Sequence, residues 1–189
     1  MLALLAATAT GPHLFWITSR AAGIAALLLS SAAVGVGVTM GGRFVKKGGP
    51  DFRVTHEALS LATMVAIVVH AVSLLGDSFL HPSVTDVTVP FASGYKEPWM
   101  AIGIVSGWSM IALGLSYYFR ARIGVARWKV LHRFTALAWV LGLAHSLGEG
   151  TDAGTSWFLI SVGLVTIPAL ALGLGRLIQA GNATPRPVA

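Results

Sequence analysis

The sequence predicts an all-α integral membrane protein, a bundle of five transmembrane helices, from three observations. Of 189 residues, 55% are hydrophobic and only 11% are charged, against roughly 25% charged in a soluble domain. Five apolar stretches each approach the roughly 20 residues that carry a helix across a bilayer. The basic residues collect in alternate connections between those stretches, a pattern that belongs to membrane topology.

Residues 1–13 are read as a short N-terminal segment, since Met1 to Thr10 is apolar but too short to span and lacks the basic start of a secretory signal. The membrane domain is expected over 14–179 and a cytoplasmic tail over 180–189. Its helices are predicted at about 14–40, 57–76, 99–119, 129–147 and 157–178. Thr55 can cap the second helix, and Pro98 precedes the third where a missing N–H costs nothing. Gly103 and Gly107 form a small-xxx-small pair that lets another helix come close. Pro168 should kink the fifth helix, which looks structural. The connection from Asp77 to Pro98 is the longest, and it is expected to fold back over the outer face.

Loop charge orients the bundle. Arg43, Lys46, Lys47, Arg53, Arg120, Arg122, Arg127, Lys129, Arg133, Arg176 and Arg186 place 11 of the 13 basic residues on one side, which the positive-inside rule assigns to the cytoplasm. The other side holds Asp77, Asp86, Glu97, Glu149 and Asp152. The N-terminus is therefore expected outside and the C-terminus inside. The net charge of +6 follows from this topology and is no sign of nucleic-acid binding. With no cysteine, disulfides, thiolate haem ligation, iron–sulfur clusters and thiol catalysis are all excluded.

Ionisable side chains inside hydrocarbon-length segments are costly and mark function. The second segment carries His56 and His70, and the fourth carries His132 and His145. Both segments run the same way, so His56 shares a depth with His132, and His70 with His145. Facing imidazoles at two depths suit the axial ligands of two stacked haems. In the second helix the interval of 14 residues is nearly four turns, which leaves both rings within roughly 40° of one face and about 21 Å apart. The interval of 13 in the fourth turns the second ring by roughly 140° in a straight helix. Either His132 sits at a frayed helix start or the segment is distorted near Gly142.

Arg20 lies inside the first helix, either snorkelling to the outer interface or pairing with a propionate of the outer haem. Arg53, Lys129 and Arg133 are candidates for the inner propionates, alongside their role in topology. Trp139 and Met64 lie between the histidine levels, where each can fill the space between haems or pack the core. His13 and His81 are outer-side histidines outside the helical cores. A metal site is disfavoured, since each depth offers two imidazoles where zinc wants four ligands. A proton relay lacks carboxylates at depth. There is no Gly-rich dinucleotide fingerprint.

The stretches WITSRAAGIAALLLSSAAV, HEALSLATMVAIVVH followed by SLLGD, VPFASGYKEPW and RARIGVARWKVLHRFTALAWVLGLAHSLGEGTD resemble the ferric reductase-like transmembrane domain family, especially its small stand-alone bacterial members. The likeness runs from Trp16 to Asp152. Histidine intervals of 14 and 13 are also the pattern of the NADPH oxidase and ferric reductase superfamily. The resemblance implies two b-type haems, held by His56, His70, His132 and His145, in a multi-pass bacterial plasma-membrane protein that moves electrons across the bilayer. The chain shows five spans where larger relatives have six, and it shows no flavin and nicotinamide domain. The expected donor is therefore quinol or a cytoplasmic flavin reductase, and the expected acceptor is external: a ferric chelate, dioxygen or a partner redox protein. Two alternatives stand beside this: a haem-free transporter or scaffold, and a non-catalytic haem anchor for a partner enzyme.

Overall fold

The computed structural model describes residues 11–41, 50–77 and 79–182. Helix α1 is Gly11–Gly41, α2 Pro50–Leu74, α3 Val84–Thr88, α4 Glu97–Leu115, α5 Arg120–Ile123, α6 Val125–His132, α7 Phe134–Glu149 and α8 Ser156–Gly181, with a 3₁₀ turn at Ser116–Phe119. Among the described residues there is no strand. Five helical stretches are long and apolar enough to cross a membrane: Leu14–Gly41, Pro50–Leu74, Glu97–Ile123, Val125–Glu149 and Ser156–Gln179. Arg43, Lys46, Lys47, Arg186 and the side chain of His13 lie outside the described residues.

Two spans start earlier than expected, the second at Pro50 and the fourth at Val125. The second helix begins at Pro50, and Thr55 lies inside it rather than capping it. Proline presets the backbone for a first turn, and Asp51 beside it complements the positive end of the helix. An apolar run marks the hydrocarbon crossing, whereas the hydrogen-bonded helix extends beyond it into polar surroundings. His56 therefore sits well within a formed helix.

Helix α4 opens with Lys96 at φ 37° and Pro98 in its first turn. It continues through the 3₁₀ turn into α5, and Gly124 at φ +90° then reverses the chain. That dihedral strains any residue with a Cβ. The long connection winds through α3, where the Ser83 hydroxyl accepts the Asp86 N–H and the Asp86 carboxylate accepts the Ser83 N–H. The Ser83 hydroxyl and the Ser83 N–H both donate to the Asp86 carboxylate and hold its carboxyl below the usual range. The connection is tied back by Trp108, whose indole N–H donates to the Thr88 carbonyl at 2.9 Å.

Helix α2 packs along α1, α7 along α4, and α8 against α1. Leu27, Phe158 and Val162 form a buried cluster that Leu143 and Ala153 extend. Polar groups in this interior are satisfied locally. Ser31 donates to the Leu27 carbonyl at 2.7 Å, lies 3.3 Å from the Thr166 hydroxyl, and accepts the Trp139 indole N–H at 2.9 Å. This network joins α1, α7 and α8 around Trp139, which is 3% exposed. We expect Trp139→Ala to destabilise the protein by about 3–5 kcal/mol through the cavity it leaves. Trp139→Phe should cost only about 1 kcal/mol, since Ser31 keeps its other partners. Chemical denaturation in detergent micelles measures both.

Gly103 and Gly107 both stand where another helix comes close. The first lies against the His145 ring and the second faces Ile67. Pro168 sits inside α8 without ending it.

Candidate functional site: two facing histidine pairs

Helices α2 and α7 are not packed on each other; each lies on a different neighbour, α2 on α1 and α7 on α4. The histidines reach across the resulting gap. The ring centroids of His56 and His132 are 6.0 Å apart, with the rings at 86°. Those of His70 and His145 are 6.4 Å apart, at 71°. A metal ion bonded to two imidazole nitrogens at about 2.0–2.1 Å each places the ring centroids roughly 6 Å apart. Both pairs have that span.

The free nitrogens face the right way chemically. The Nδ1 of His56 lies 3.0 Å from the Ala33 carbonyl, that of His70 2.8 Å from the Ser19 carbonyl, and that of His145 2.8 Å from the Trp99 carbonyl. A carbonyl only accepts, so each Nδ1 carries the proton and donates, which leaves Nε2 with its lone pair. This is how a metal-ligating histidine is usually oriented, by a partner on the nitrogen that does not bind metal. Ser19 adds a second tie by donating its hydroxyl to the His70 carbonyl at 3.1 Å.

Glycines form the floors on which these rings lie. A Cβ at Gly37 would come within 3.1 Å of the His56 ring, and one at Gly23 within 3.0 Å of the His70 ring. A Cβ at Gly103 would overlap the His145 ring. Gly23 and Gly37 are 14 residues apart in α1, the interval that separates His56 from His70 in α2. This matched spacing was readable in the sequence and went unused.

Around His70 and His145 opens a cavity of about 990 Å³, far larger than the voids of an ordinary packed interior. Its polar end is lined by Arg20, Asp77, Glu149 and Asp152, and its deep end by Thr63 and Trp139. Phe79, Leu80 and Tyr95 of the long connection form part of its wall. Arg20 has a partner that sequence reasoning missed: its guanidinium binds both carboxylate oxygens of Asp152 and rests 4.9 Å over the Trp16 ring. Asp152 lies 132 residues away in the chain, so no local signal announces it.

The His56–His132 level is built differently. The fourth span is interrupted at Arg133, whose N–H bonds the Val130 carbonyl and whose carbonyl takes the Ala136 N–H, each at 3.2 Å. Three-residue bonds of this kind turn the chain about 20° further per residue than an α-helix, which takes up part of the 13-residue mismatch. Gly142, the other suspected point of distortion, lies within the continuous α7 and gives room to Ser106, whose hydroxyl donates to the Ala138 carbonyl at 2.8 Å. Arg53, Lys129 and Arg133 are exposed beside this level. Met64 packs against Gly114 with its sulfur 3.0 Å from where a Cβ would stand. His81 is exposed, at φ 44°, on the connection outside the spans. Among the described residues, no three His, Asp or Glu side chains converge as a metal cluster would require.

Fold and site together define a multi-pass helical membrane protein with two levels of paired histidines. The chain belongs to the ferric reductase-like transmembrane family: the model described as ferric reductase like transmembrane component matches residues 21–143. That span includes His56, His70 and His132 and stops two residues short of His145. No curated protein and no solved structure matches the chain. Membership gives the protein a membrane redox role.

Proposed function

We propose that this chain is a dihaem b-type membrane cytochrome, with residues 14–179 as its haem-binding domain. The observation that supports it best is the pair of imidazole levels facing across the α2–α7 gap at 6.0 and 6.4 Å. Two haems, one between His56 and His132 and one between His70 and His145, would supply one-electron transfer from one face of the membrane to the other. The residues themselves do the rest. Backbone carbonyls hold three rings with Nε2 presented, and glycines let the helix backbones lie close to those rings. Two imidazoles at each level, His56 with His132 and His70 with His145, would hold such a group, which would then supply electrons to an acceptor without the acceptor binding to iron. Arg53, Lys129 and Arg133 offer positive charge to the anionic edge of the inner group. Arg20 offers the same near the outer group while it holds Asp152.

The basic end of the bundle, with Arg53, Arg120, Arg122, Arg127, Lys129, Arg133 and Arg176, is the cytoplasmic end by the positive-inside rule. Electrons then pass from quinol or a cytoplasmic flavin reductase at the His56–His132 level to an external acceptor or partner protein beyond the His70–His145 level. Reconstituted vesicles that accept electrons only from the acidic face would reverse this direction.

The test is the haem b content of detergent-purified protein, with reduced-minus-oxidised spectra, for wild type, His70→Ala and His132→Ala. Two haems per chain are expected in wild type, with one lost in each variant. A well-folded wild type with no haem, produced with adequate haem supply, would sink the reading and leave a haem-free transporter or scaffold.

A further inference from the structure

His132 stands apart from the other three histidines. Its buried Nδ1 makes no hydrogen bond of full geometry, with only a weak approach to the Leu113 backbone, and it lies just before the interruption at Arg133 rather than in the middle of a regular helix. An imidazole ligand with so weak a contact on its second nitrogen is loosely set in ring angle by that contact. Something else must hold the plane of this ring.

The indole of Trp128 does so geometrically. It stacks on the His132 ring with centroids 5.0 Å apart and planes at 27°. Trp128 precedes His132 by four residues, one turn of α6, so the two side chains share a face. The indole is itself fixed by two residues of the 3₁₀ turn, Ser116 and Tyr117. Its N–H donates to the Ser116 hydroxyl at 3.2 Å, and Ser116 in turn donates to the Leu113 carbonyl at 2.6 Å. Tyr117 meets its edge at 5.8 Å, and the Arg120 guanidinium rests 4.0 Å over the Tyr117 ring. The 3₁₀ turn at the end of α4 thus anchors an aromatic plate against the histidine.

We infer that Trp128 is the positioning residue of His132, its ring face fixing the imidazole plane that backbone carbonyls fix for His56, His70 and His145. The inference rests on the haem-ligand reading. A stacked ring sets the orientation of the imidazole by its face. The His56–His132 level depends on one aromatic contact, and the His70–His145 level does not.

The experiment compares Trp128→Ala, Trp128→Phe and Ser116→Ala by haem per chain and by redox titration of each level. Trp128→Ala should weaken haem retention at the His56–His132 level by about 10- to 100-fold, the usual cost of losing an orienting partner. Purified protein then carries one haem, at the wild-type midpoint of the other level. Trp128→Phe keeps the stack and should keep two haems, as should Ser116→Ala, with a midpoint shift confined to the His56–His132 level. Two haems at unchanged midpoints in Trp128→Ala would overturn the inference. So would the loss of both haems, or a phenylalanine variant that behaves like alanine. A wild type without haem would instead overturn the ligand reading itself.

Discussion

If the proposed dihaem reading holds, Gly103→Ala is expected to empty the His70–His145 level and leave the His56–His132 level loaded, taking the protein from two haems to one. The added methyl would fall on the His145 ring at Cγ, Nδ1 and Cε1, and α4 cannot easily retreat because it packs along α7. The ring must move instead. A shift of the ring away from Gly103 also pulls on the Nδ1 hydrogen bond to the Trp99 carbonyl, which orients it. Closely packed interiors register even one added carbon, typically at 1–3 kcal/mol, and ligation is more sensitive to angle than packing is. Gly173→Ala is the control, because nothing lies within 4 Å of its added carbon. Haem per chain and the reduced spectrum are the readouts. A Gly103→Ala protein that still binds two haems would show that His145 tolerates the shift or is not a ligand.

The second large effect is on stability. Arg20→Ala should destabilise the protein by about 3 kcal/mol, the lower end of the cost of breaking a buried ion pair by removing one partner. Asp152 is 5% exposed, so without Arg20 its carboxylate is left buried with no counter-charge. The reverse substitution is milder. With Asp152→Ala the guanidinium, about a third exposed, can still reach water and keeps its contact with Trp16, so about 1–2 kcal/mol is expected. The double variant should be more stable than Arg20→Ala alone. Unfolding in detergent, read as a double-mutant cycle, measures the coupling. Additive single effects would show that the pair contributes nothing beyond its separate side chains.

The bilayer explains why so much of this molecule could be read in advance. Hydrocarbon forces every backbone N–H and C=O into internal bonds, so an apolar run of sufficient length has little choice but helix. The five spans follow from that constraint, and the four histidines stand out because an ionisable group there needs a reason. Helix ends are governed by other forces. Pro50 starts α2 in polar surroundings that hydropathy does not sense, so the apolar pattern points to Thr55 as a cap when it lies inside the helix. The glycines under the rings were present at the same 14-residue interval as the histidines they face, but glycine is common in membrane helices and its partner depends on tertiary contact. Arg20 was conspicuous, whereas Asp152 was not. The pairing exists only because α1 lies beside the turn between α7 and α8, and no pattern within either segment encodes it.

The interruption at Arg133 is a phase correction. In α2 the 14-residue interval keeps its histidines nearly in step by helical winding alone, so an unbroken rod suffices. In the fourth span the histidine interval is one residue shorter and would drift further out of phase, so the winding is adjusted once, directly after His132. Each length of helix beyond the reset then keeps its own azimuth. A residue gained or lost within α7 swings His145 by about 100° and moves it about 1.5 Å along the axis. His132, on the far side of the reset, keeps its bearing against Trp128. The two levels are therefore aimed separately on this span, although they are rigidly yoked on α2.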